Sequence, residues 1–312
     1  MDEASENCPC RLAETGNCLV CSRLQGKNEC DCDWTGVCIY NEYILGGRKR
    51  AEPRTDQLCT VIRRKELQKG EFILLQIQCR KGLALRCRIP GAHIFIRGQQ
   101  WESFYDVPLS VLDADEKEGI LTVCFRVLSA KTRALAECGQ GDTVILRGPY
   151  RNGIHGLPGK MKGKKLLFLA GGAGIVPAVH ALNLLSSQNP SDLIVSPGAA
   201  EIELIQEFLK EEKDCGPRRV LFGEPGSPEY AAALDKVFAE QAYDEILILG
   251  SPGFQEAASK EAALRSSAHQ SFSNNETMCC GEGVCGACSC QDREGRHIPA
   301  CKYGGDWKKN TE

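Results

Sequence analysis

The chain has 312 residues, 42% hydrophobic and 25% charged, with 38 basic and 41 acidic side chains and a net charge of −3. These proportions exclude disordered and fibrous classes and leave room for more than one buried core. The near-neutral balance offers no electrostatic footprint for nucleic acid or for an anionic membrane. What departs from the ordinary is the cysteine count of 19. Such a count signals either secretion or metal. The opening MDEASENCPC is acidic and polar, without an apolar signal core. The expectation is therefore a reducing, cytoplasmic setting in which clustered thiolates hold metal.

The cysteines divide the chain. Seven fall between Cys8 and Cys38, five between Cys279 and Cys290, and Cys301 follows; Cys59, Cys79, Cys87, Cys124, Cys138 and Cys215 stand singly in apolar or mixed surroundings. Those six are expected as small core hydrophobes. Four segments follow: a Cys-rich N-terminal extension over 1–50, a β-rich part over 54–155, an alternating α/β part over 163–267, and a Cys-rich tail over 274–312.

In the head, Cys8-x-Cys10, Cys18-x2-Cys21, Cys30-x-Cys32 and Cys38 supply more ligands than one tetrahedral site needs. A segment of this size can hardly bury a core of its own, and metal would supply the missing stability. An additional iron–sulfur cluster, a structural zinc and a partner-docking tail with free thiols all fit the spacing.

Over 54–155, CTVIRRKEL, GEFILLQIQC, GAHIFIRG, VPLSVLDAD, GILTVCFRVL and GDTVILRGPY are strand-like runs separated by glycine or acidic turns. Short strands in this pattern predict a small antiparallel barrel, with one helical turn at Leu135–Cys138. Arg126 in an apolar strand is the oddity. It can face a phosphate or solvent.

From Lys164 the period changes. KLLFLA, DLIVS, RRVLF and DEILILG are short apolar strands, each followed by a helical pattern; in the second helix Ile202, Ile205, Phe208 and Leu209 are expected on one face. Strands alternating with helices predict a parallel sheet covered on both sides. The apolar stretch Leu166–Leu185 contains Gly171, Gly172, Gly174, Pro177 and His180, so it is a strand, a glycine turn and a helix rather than a membrane span. The polar run SSAHQSFSNNE (266–276) is expected as a linker.

Two motifs carry chemistry on their own. Gly171-Gly172-Ala173-Gly174 lies between a strand and a helix, where backbone N–H groups can face a pyrophosphate; Gly250-Ser251-Pro252-Gly253 follows the last strand and is expected at the same sheet edge. No acidic residue at the end of the second strand marks a ribose, so NAD and NADP are not separated. In the tail, Cys280-x4-Cys285-x2-Cys288, with Cys301 beyond, matches plant-type [2Fe–2S] spacing. Gly281, Gly283 and Gly286 let the loop wrap closely. A zinc knuckle usually pairs two short hooks, whereas here the second is a single cysteine. Cys279 and Cys290 are then spare thiols.

In this order the motifs resemble the iron–sulfur flavoprotein electron-transfer subunits of the ferredoxin–NADP reductase superfamily. The nearest likenesses are the subunits serving NAD-linked dihydroorotate dehydrogenase and NADH-dependent ferredoxin:NADP oxidoreductase (sulfide dehydrogenase). The likeness covers about residues 54–312 and is strongest at CCGEGVCGACSC, GGAGIVP and CFRVLSAKT…GDTVILRGPY. It implies an α+β multidomain fold: an FAD-binding β-barrel, an α/β NAD(P)-binding domain with a parallel sheet, and a small C-terminal [2Fe–2S] domain ligated by Cys280, Cys285, Cys288 and Cys301. The family's flavin motif Arg-Pro-x-Ser falls on Val107, Pro108, Leu109 and Ser110, without its arginine; a second flavin stretch falls on Cys124, Phe125 and Arg126. The Gly-Thr pair falls on Lys131 and Thr132, lysine replacing glycine. Implied cofactors are FAD and [2Fe–2S], with NAD(P)H as substrate on Gly171, Gly172, Gly174, Gly250, Ser251 and Pro252. The implied partner is a catalytic oxidoreductase subunit, a dihydroorotate dehydrogenase-like or glutamate synthase-like flavoprotein. A self-contained NAD(P)H reductase of ferredoxin or another soluble acceptor and a zinc-bound interaction protein are the alternatives. No nucleophilic triad is apparent, and the five histidines are scattered singly.

Overall fold

The computed structural model describes residues 21–24, 26–30, 40, 44, 56–158, 161–209, 216–281, 285–291 and 297–301. Asp56–Asn275 forms one compact unit, and the described parts of Met1–Thr55 and Glu276–Glu312 form a second.

The first unit begins with β1 (Gln57–Leu67), β2 (Phe72–Gln78), β3 (His93–Gly98), β4 (Val107–Asp115), β5 (Ile120–Arg126) and β6 (Thr143–Tyr150). They close into an antiparallel barrel in the order β1-β2-β5-β4-β3-β6. Strict alternation decides this. Along β6, Val144, Leu146, Gly148 and Tyr150 are buried while the residues between them are partly open. Cys59, Ile73, Leu75, Ile96, Val123 and Leu146 meet in the barrel core. Of the single cysteines expected inside, Cys59, Cys87, Cys124 and Cys138 are buried and Cys79 is half-buried, while Cys215 lies outside the described residues. Two short helices, α1 (Lys81–Arg86) and α2 (Ala130–Ala136), lie between strands. The second thus starts earlier than the turn expected at Leu135–Cys138. Its start is set by a capping box: the Thr132 N–H donates to Ser129 Oγ while the Ser129 N–H donates to Thr132 Oγ1.

The α/β half contains β7 (Ile154–His155), β8 (Leu166–Ala170), α3 (Ile175–Leu185), β9 (Ser191–Val195), α4 (Ala199–Phe208), β10 (Val220–Phe222), α5 (Pro228–Glu240), β11 (Glu245–Leu249), α6 (Pro252–Ala263) and β12 (His269–Ser273). Its sheet has the order β10-β9-β8-β11-β12-β7, and all pairs are parallel except β12 with β7. Two of these strands correct the expected linker and domain edge. β12 lies inside the polar run, and β7 belongs to this sheet rather than to the barrel. The run resembles a linker because its buried residues include hydroxyls. Ser271 donates to Glu245 Oε1, and Ser273 Oγ accepts from the Gly250 N–H at 3.0 Å.

Two apolar layers cover the sheet. Residues of α5 and α6 pack on one face with Leu167, Leu169 and Ile248. On the other, α3 lies against Phe168 and Leu193 and also against Leu74, Leu112 and Cys124 of the barrel. Packed between sheet and barrel, α3 is apolar almost all round, and its His180 Nε2 lies 3.0 Å from the Cys87 carbonyl. Burial holds the His180 imidazole below its usual pKa. On α4 the buried face is Ala200, Glu201, Leu204 and Ile205, and Ile202, expected inside, is exposed. No helix among the described residues is long and apolar enough to cross a membrane.

At the amino ends of the strands a charge is fully buried but paired. Asp192 has no exposure and accepts from Arg219 Nε at 2.8 Å, Gln241 Nε2 at 3.0 Å and the Tyr243 hydroxyl at 2.6 Å. Asp192→Ala leaves the buried Tyr243 phenol and the Arg219 Nε without their acceptor, although Arg219 keeps Glu240, so unfolding in urea should show a loss of about 3 kcal/mol. Tyr243→Phe, which removes one donor, should cost about 1 kcal/mol.

Candidate functional site: a barrel opening beside two glycine turns

The β4–β5 pairing begins at Asp115↔Ile120 and ends at Val111↔Val123. Beyond that point β4 continues along β3, with Ser110 opposite His93 and Val107 opposite Ile96, while β5 continues along β2, with Cys124 opposite Leu74 and Arg126 opposite Phe72. The two strands part, and Val107–Ser110 and Cys124–Arg126 stand on the two sides of the opening. Backbone groups that would have bonded across it are left for another partner. Val107 and Leu109 turn into the barrel core, and Pro108 and Ser110 are half-open. The Ser110 hydroxyl bonds to no described residue. Arg126 is exposed and ion-paired with Glu71.

Lys131 and Thr132 follow on α2. The Lys131 ammonium donates to the Phe104 and Asp106 carbonyls, and the Thr132 hydroxyl is occupied by the helix cap. The flavin motif's missing arginine has cationic neighbours that the sequence pattern does not reveal. Arg97 of β3 donates to Asp106 Oδ1 at 2.8 Å and Arg147 of β6 to Asp106 Oδ2 at 2.7 Å, one residue before Val107. Only the strand pairing brings these three positions together, so no local spacing signals them.

The second component is the carboxyl edge of the sheet. The Gly171 N–H donates to the Leu249 carbonyl at 3.0 Å, tying the β8–α3 turn to the end of β11. A Cβ on Gly174 would collide with that same carbonyl, and Cβ atoms on Gly171 and Gly250 would both strike the Phe254 ring. Gly172 is different. Its φ is +55° and nothing lies near its Cβ direction, so the turn is open above it. Ser251 caps α6 by accepting from the Phe254 N–H at 3.3 Å, and Ser251, Pro252 and Gly253 are exposed. Gly171, Gly172, Gly174, Gly250, Ser251 and Pro252 therefore share one edge, where the topological rule for such sheets places a ligand. Because β5 also contacts the Gly172–Gly174 turn, the barrel opening and this edge are neighbours.

The third component lies in the other unit. β13 (Ser289–Gln291) and β14 (His297–Pro299) form a small hairpin, and Cys288, Ala300 and Cys301 are buried with Met278 and Cys290 against them. The Cys301 N–H donates to Cys288 Sγ at 3.4 Å. A hydrogen bond with the Cys301 thiol pulls the Cys288 pKa down to about 7. The Cys285 thiol is raised by partial desolvation and by its Cys280 neighbour. Cys280 thus acts on both Cys285 and Cys288, and Cys288 is also joined to Cys301. Among the described residues, no group of three or more His, Cys, Asp or Glu side chains stands close enough together to hold a metal ion. Gly281 and Gly286 have φ of +69° and +74°, as a wrapping loop needs, and Gly283 lies outside the described residues. In the head, Cys21 is buried and Cys30 exposed; Cys8, Cys10, Cys18, Cys32 and Cys38 lie outside the described residues.

No protein-family model matches the chain. Among curated proteins, it is 27% identical over 206 residues to the dihydroorotate dehydrogenase B (NAD(+)) electron transfer subunit of Caldanaerobacter subterraneus subsp. tengcongensis, covering 66% of this chain and 78% of that one. The subunit of the same name from Fusobacterium nucleatum is 24% identical over 242 residues, covering 76% and 90%. Among solved structures, that of an NADH-dependent reduced ferredoxin-NADP oxidoreductase aligns with a TM-score of 0.63 at 22% identity, over 79% of this chain and 86% of that one. The chain resembles these electron-transfer subunits, and its fold is that of the oxidoreductase. A ferredoxin reductase of carbazole 1,9a-dioxygenase shares the fold at a TM-score of 0.51 and 16% identity, over 72% of this chain and 70% of that one.

The two central glycines should respond differently to alanine. Gly174→Ala forces the turn off the end of β11 and should cost about 3 kcal/mol in thermal unfolding. Gly172→Ala meets only its backbone conformation and should cost about 1 kcal/mol.

Proposed function

We propose that this chain is an electron-transfer subunit that carries electrons between NAD(P)H and a partner catalytic subunit by way of FAD and a [2Fe–2S] cluster. The observation that carries the reading is the parting of β4 from β5 directly beside the paired glycine turns. It gives a planar ring a slot lined by unpaired backbone, within reach of a surface shaped for a dinucleotide. Bound there, a flavin accepts a hydride from nicotinamide as an electron pair and gives electrons up singly, which a [2Fe–2S] centre can carry onward.

The residues divide the work. Pro108, Leu109 and Ser110 on one lip, and Cys124, Phe125 and Arg126 on the other, hold and orient the flavin, with the Ser110 hydroxyl free to bond to its ring. Val107 packs inward, and the two guanidinium groups of Arg97 and Arg147 that stand beside it are balanced by Asp106 and Asp56. Lys131 and Thr132 fix the α2 start beside it. At the carboxyl edge Gly172 and Ser251 would present N–H groups to the pyrophosphate of NAD(P)H, while Gly171, Gly174 and Gly250, whose N–H groups are bonded within the protein, and Pro252, which has none, provide close-packed backbone.

The tail residues suit a two-iron cluster, because Cys280, Cys285, Cys288 and Cys301 supply four thiols at plant-type spacing, two for each iron. Cys280 and Cys285 would serve one and Cys288 and Cys301 the other. The segment 274–312 is then the cluster domain, 54–155 the flavin barrel, and 163–267, extended by β12, the nucleotide domain. The head cysteines would hold a further iron–sulfur cluster or zinc. The relatives' names point to a dihydroorotate dehydrogenase-like partner, and a glutamate synthase-like flavoprotein is the second class. The setting is cytoplasmic.

Anaerobic isolation should yield a chain with stoichiometric FAD and about two irons from the tail; iron beyond that belongs to the head. Cys285→Ala should keep flavin and its reduction by NAD(P)H but lose transfer to an external acceptor. Unchanged transfer in that variant removes the cluster from the path, and absence of flavin from wild-type chain defeats the whole reading.

A further inference from the structure

We propose that Asn274 and Asn275 are positioning residues: they clamp the root of the cysteine-bearing tail to the carboxyl edge of the sheet, and transfer from flavin to cluster depends on that clamp. The inference rests on the electron-transfer reading given above.

β12 runs parallel to β11, so its last residue, Ser273, ends at the same edge as Gly250. The chain leaves the sheet there, and the next two residues are each fastened by a side chain. Asn275 Nδ2 donates to the Gly250 carbonyl at 2.8 Å. Asn274 Nδ2 donates to the Asn152 carbonyl at 3.0 Å, and the Asn274 N–H donates to the Gly153 carbonyl at 2.9 Å. These partners come from different places. Gly250 belongs to the turn after β11, whereas Asn152 and Gly153 join β6 of the barrel to β7. Gly153 is itself held to the barrel: its N–H donates to the Gly91 carbonyl at 3.0 Å, and a Cβ on Gly153 would collide with that carbonyl. The exit of the chain is thereby pinned both to the sheet edge and to the segment that leaves the barrel.

Gly250 is held without Asn275. Its carbonyl also accepts from Gln255 Nε2 at 3.2 Å and from Ser273 Oγ at 3.1 Å, and its N–H donates to Ser273 Oγ at 3.0 Å. Gln255 and Ser273 are buried and hold the turn from inside, while Asn275 is exposed and reaches it from outside. The bond from Asn275 is thus redundant for the turn and bears on the tail. Five peptide steps separate Asn275 from Cys280, the first cluster ligand proposed above, and an extended chain covers at most about 18 Å in that number of steps. A loose root multiplies the positions open to the tail. Single-electron transfer falls steeply with distance, so its rate follows the fraction of molecules in which the tail is in place.

The electrons balance in two steps. A hydride from NAD(P)H brings two electrons to the flavin; one then reduces a ferric ion of the cluster to ferrous, and the other follows when an external acceptor has emptied the cluster. Neither asparagine touches the reacting atoms.

The test uses the full chain, purified anaerobically with its native cofactors. The variants are Asn275→Asp, which keeps the size and removes the donor, and the double variant Asn274→Ala/Asn275→Asp. Hydrogen exchange read by mass spectrometry reports the clamp without any electron transfer. Amides of residues 274–277 should exchange about fivefold faster in the single variant, the worth of one hydrogen bond, and faster still in the double, with β11 unchanged. Stopped flow with NADH and with NADPH reads flavin reduction, and freeze-quench EPR reads the reduced cluster. Flavin content and flavin reduction should match wild type, while cluster reduction slows about fivefold or more. Wild-type exchange in the double variant overturns the clamp. Faster exchange with unchanged cluster reduction, or an equal loss in both reduction steps, overturns the positioning role and leaves the electron-transfer reading standing. If wild-type chain holds flavin and iron but NAD(P)H never reduces the cluster, that reading is itself wrong and this inference falls with it.

Discussion

The arrangement depends on the close approach of two backbones at Gly174. The β8–α3 turn can lie on the end of β11 only because no side chain separates Gly174 from the Leu249 carbonyl. With that contact made, both glycine turns share one edge. α3 then leaves the turn at an angle that buries it against the sheet and the barrel together. A residue with a side chain at 174 would lift the turn, shift α3, and loosen the packing that sets the barrel opening next to the carboxyl edge of the sheet. The placement of the two glycine turns and the core packing are thus one constraint.

The barrel opening has a complementary logic. A closed six-stranded barrel leaves no backbone edge unsatisfied, so a site for a flat ligand must be made by interrupting one seam. The interruption falls just past the register shift between Val111 and Asp113. From there β4 stays with β3 and β5 stays with β2. Elsewhere the barrel is held closed around core residues such as Val61, Leu75 and Leu146, which confines the opening to one place.

Much of this is legible in the sequence because the period of the apolar residues changes at Lys164. Alternation in GDTVILRGPY and short apolar runs before helical patterns point to the barrel and the parallel sheet, and GGAGIVP marks the turn. β12 is hidden because Ser271 and Ser273 are buried by hydrogen bonding rather than by hydrophobicity. The exposed Ile202 is misplaced by pattern alone because α4 buries Ala200 and Glu201 in its stead, small and acidic residues that a hydrophobic count passes over. Arg97, Asp106 and Arg147 escape for a third reason: their proximity comes from strand pairing.

The cysteines separate by electrostatics as well as by position. Burial pushes the Cys59, Cys87 and Cys124 thiols up to about 12 and Cys79 to about 11, and raises Cys138 as well. A thiol must lose its proton to bind iron, so at neutral pH these side chains are poor competitors for metal. In the tail, the hydrogen bond from Cys301 brings Cys288 down to about 7, where the thiolate is readily formed. The same burial that makes a core cysteine a good hydrophobe keeps it protonated, whereas in the tail Cys288 is drawn down by its Cys301 neighbour and Cys285 is raised by its own.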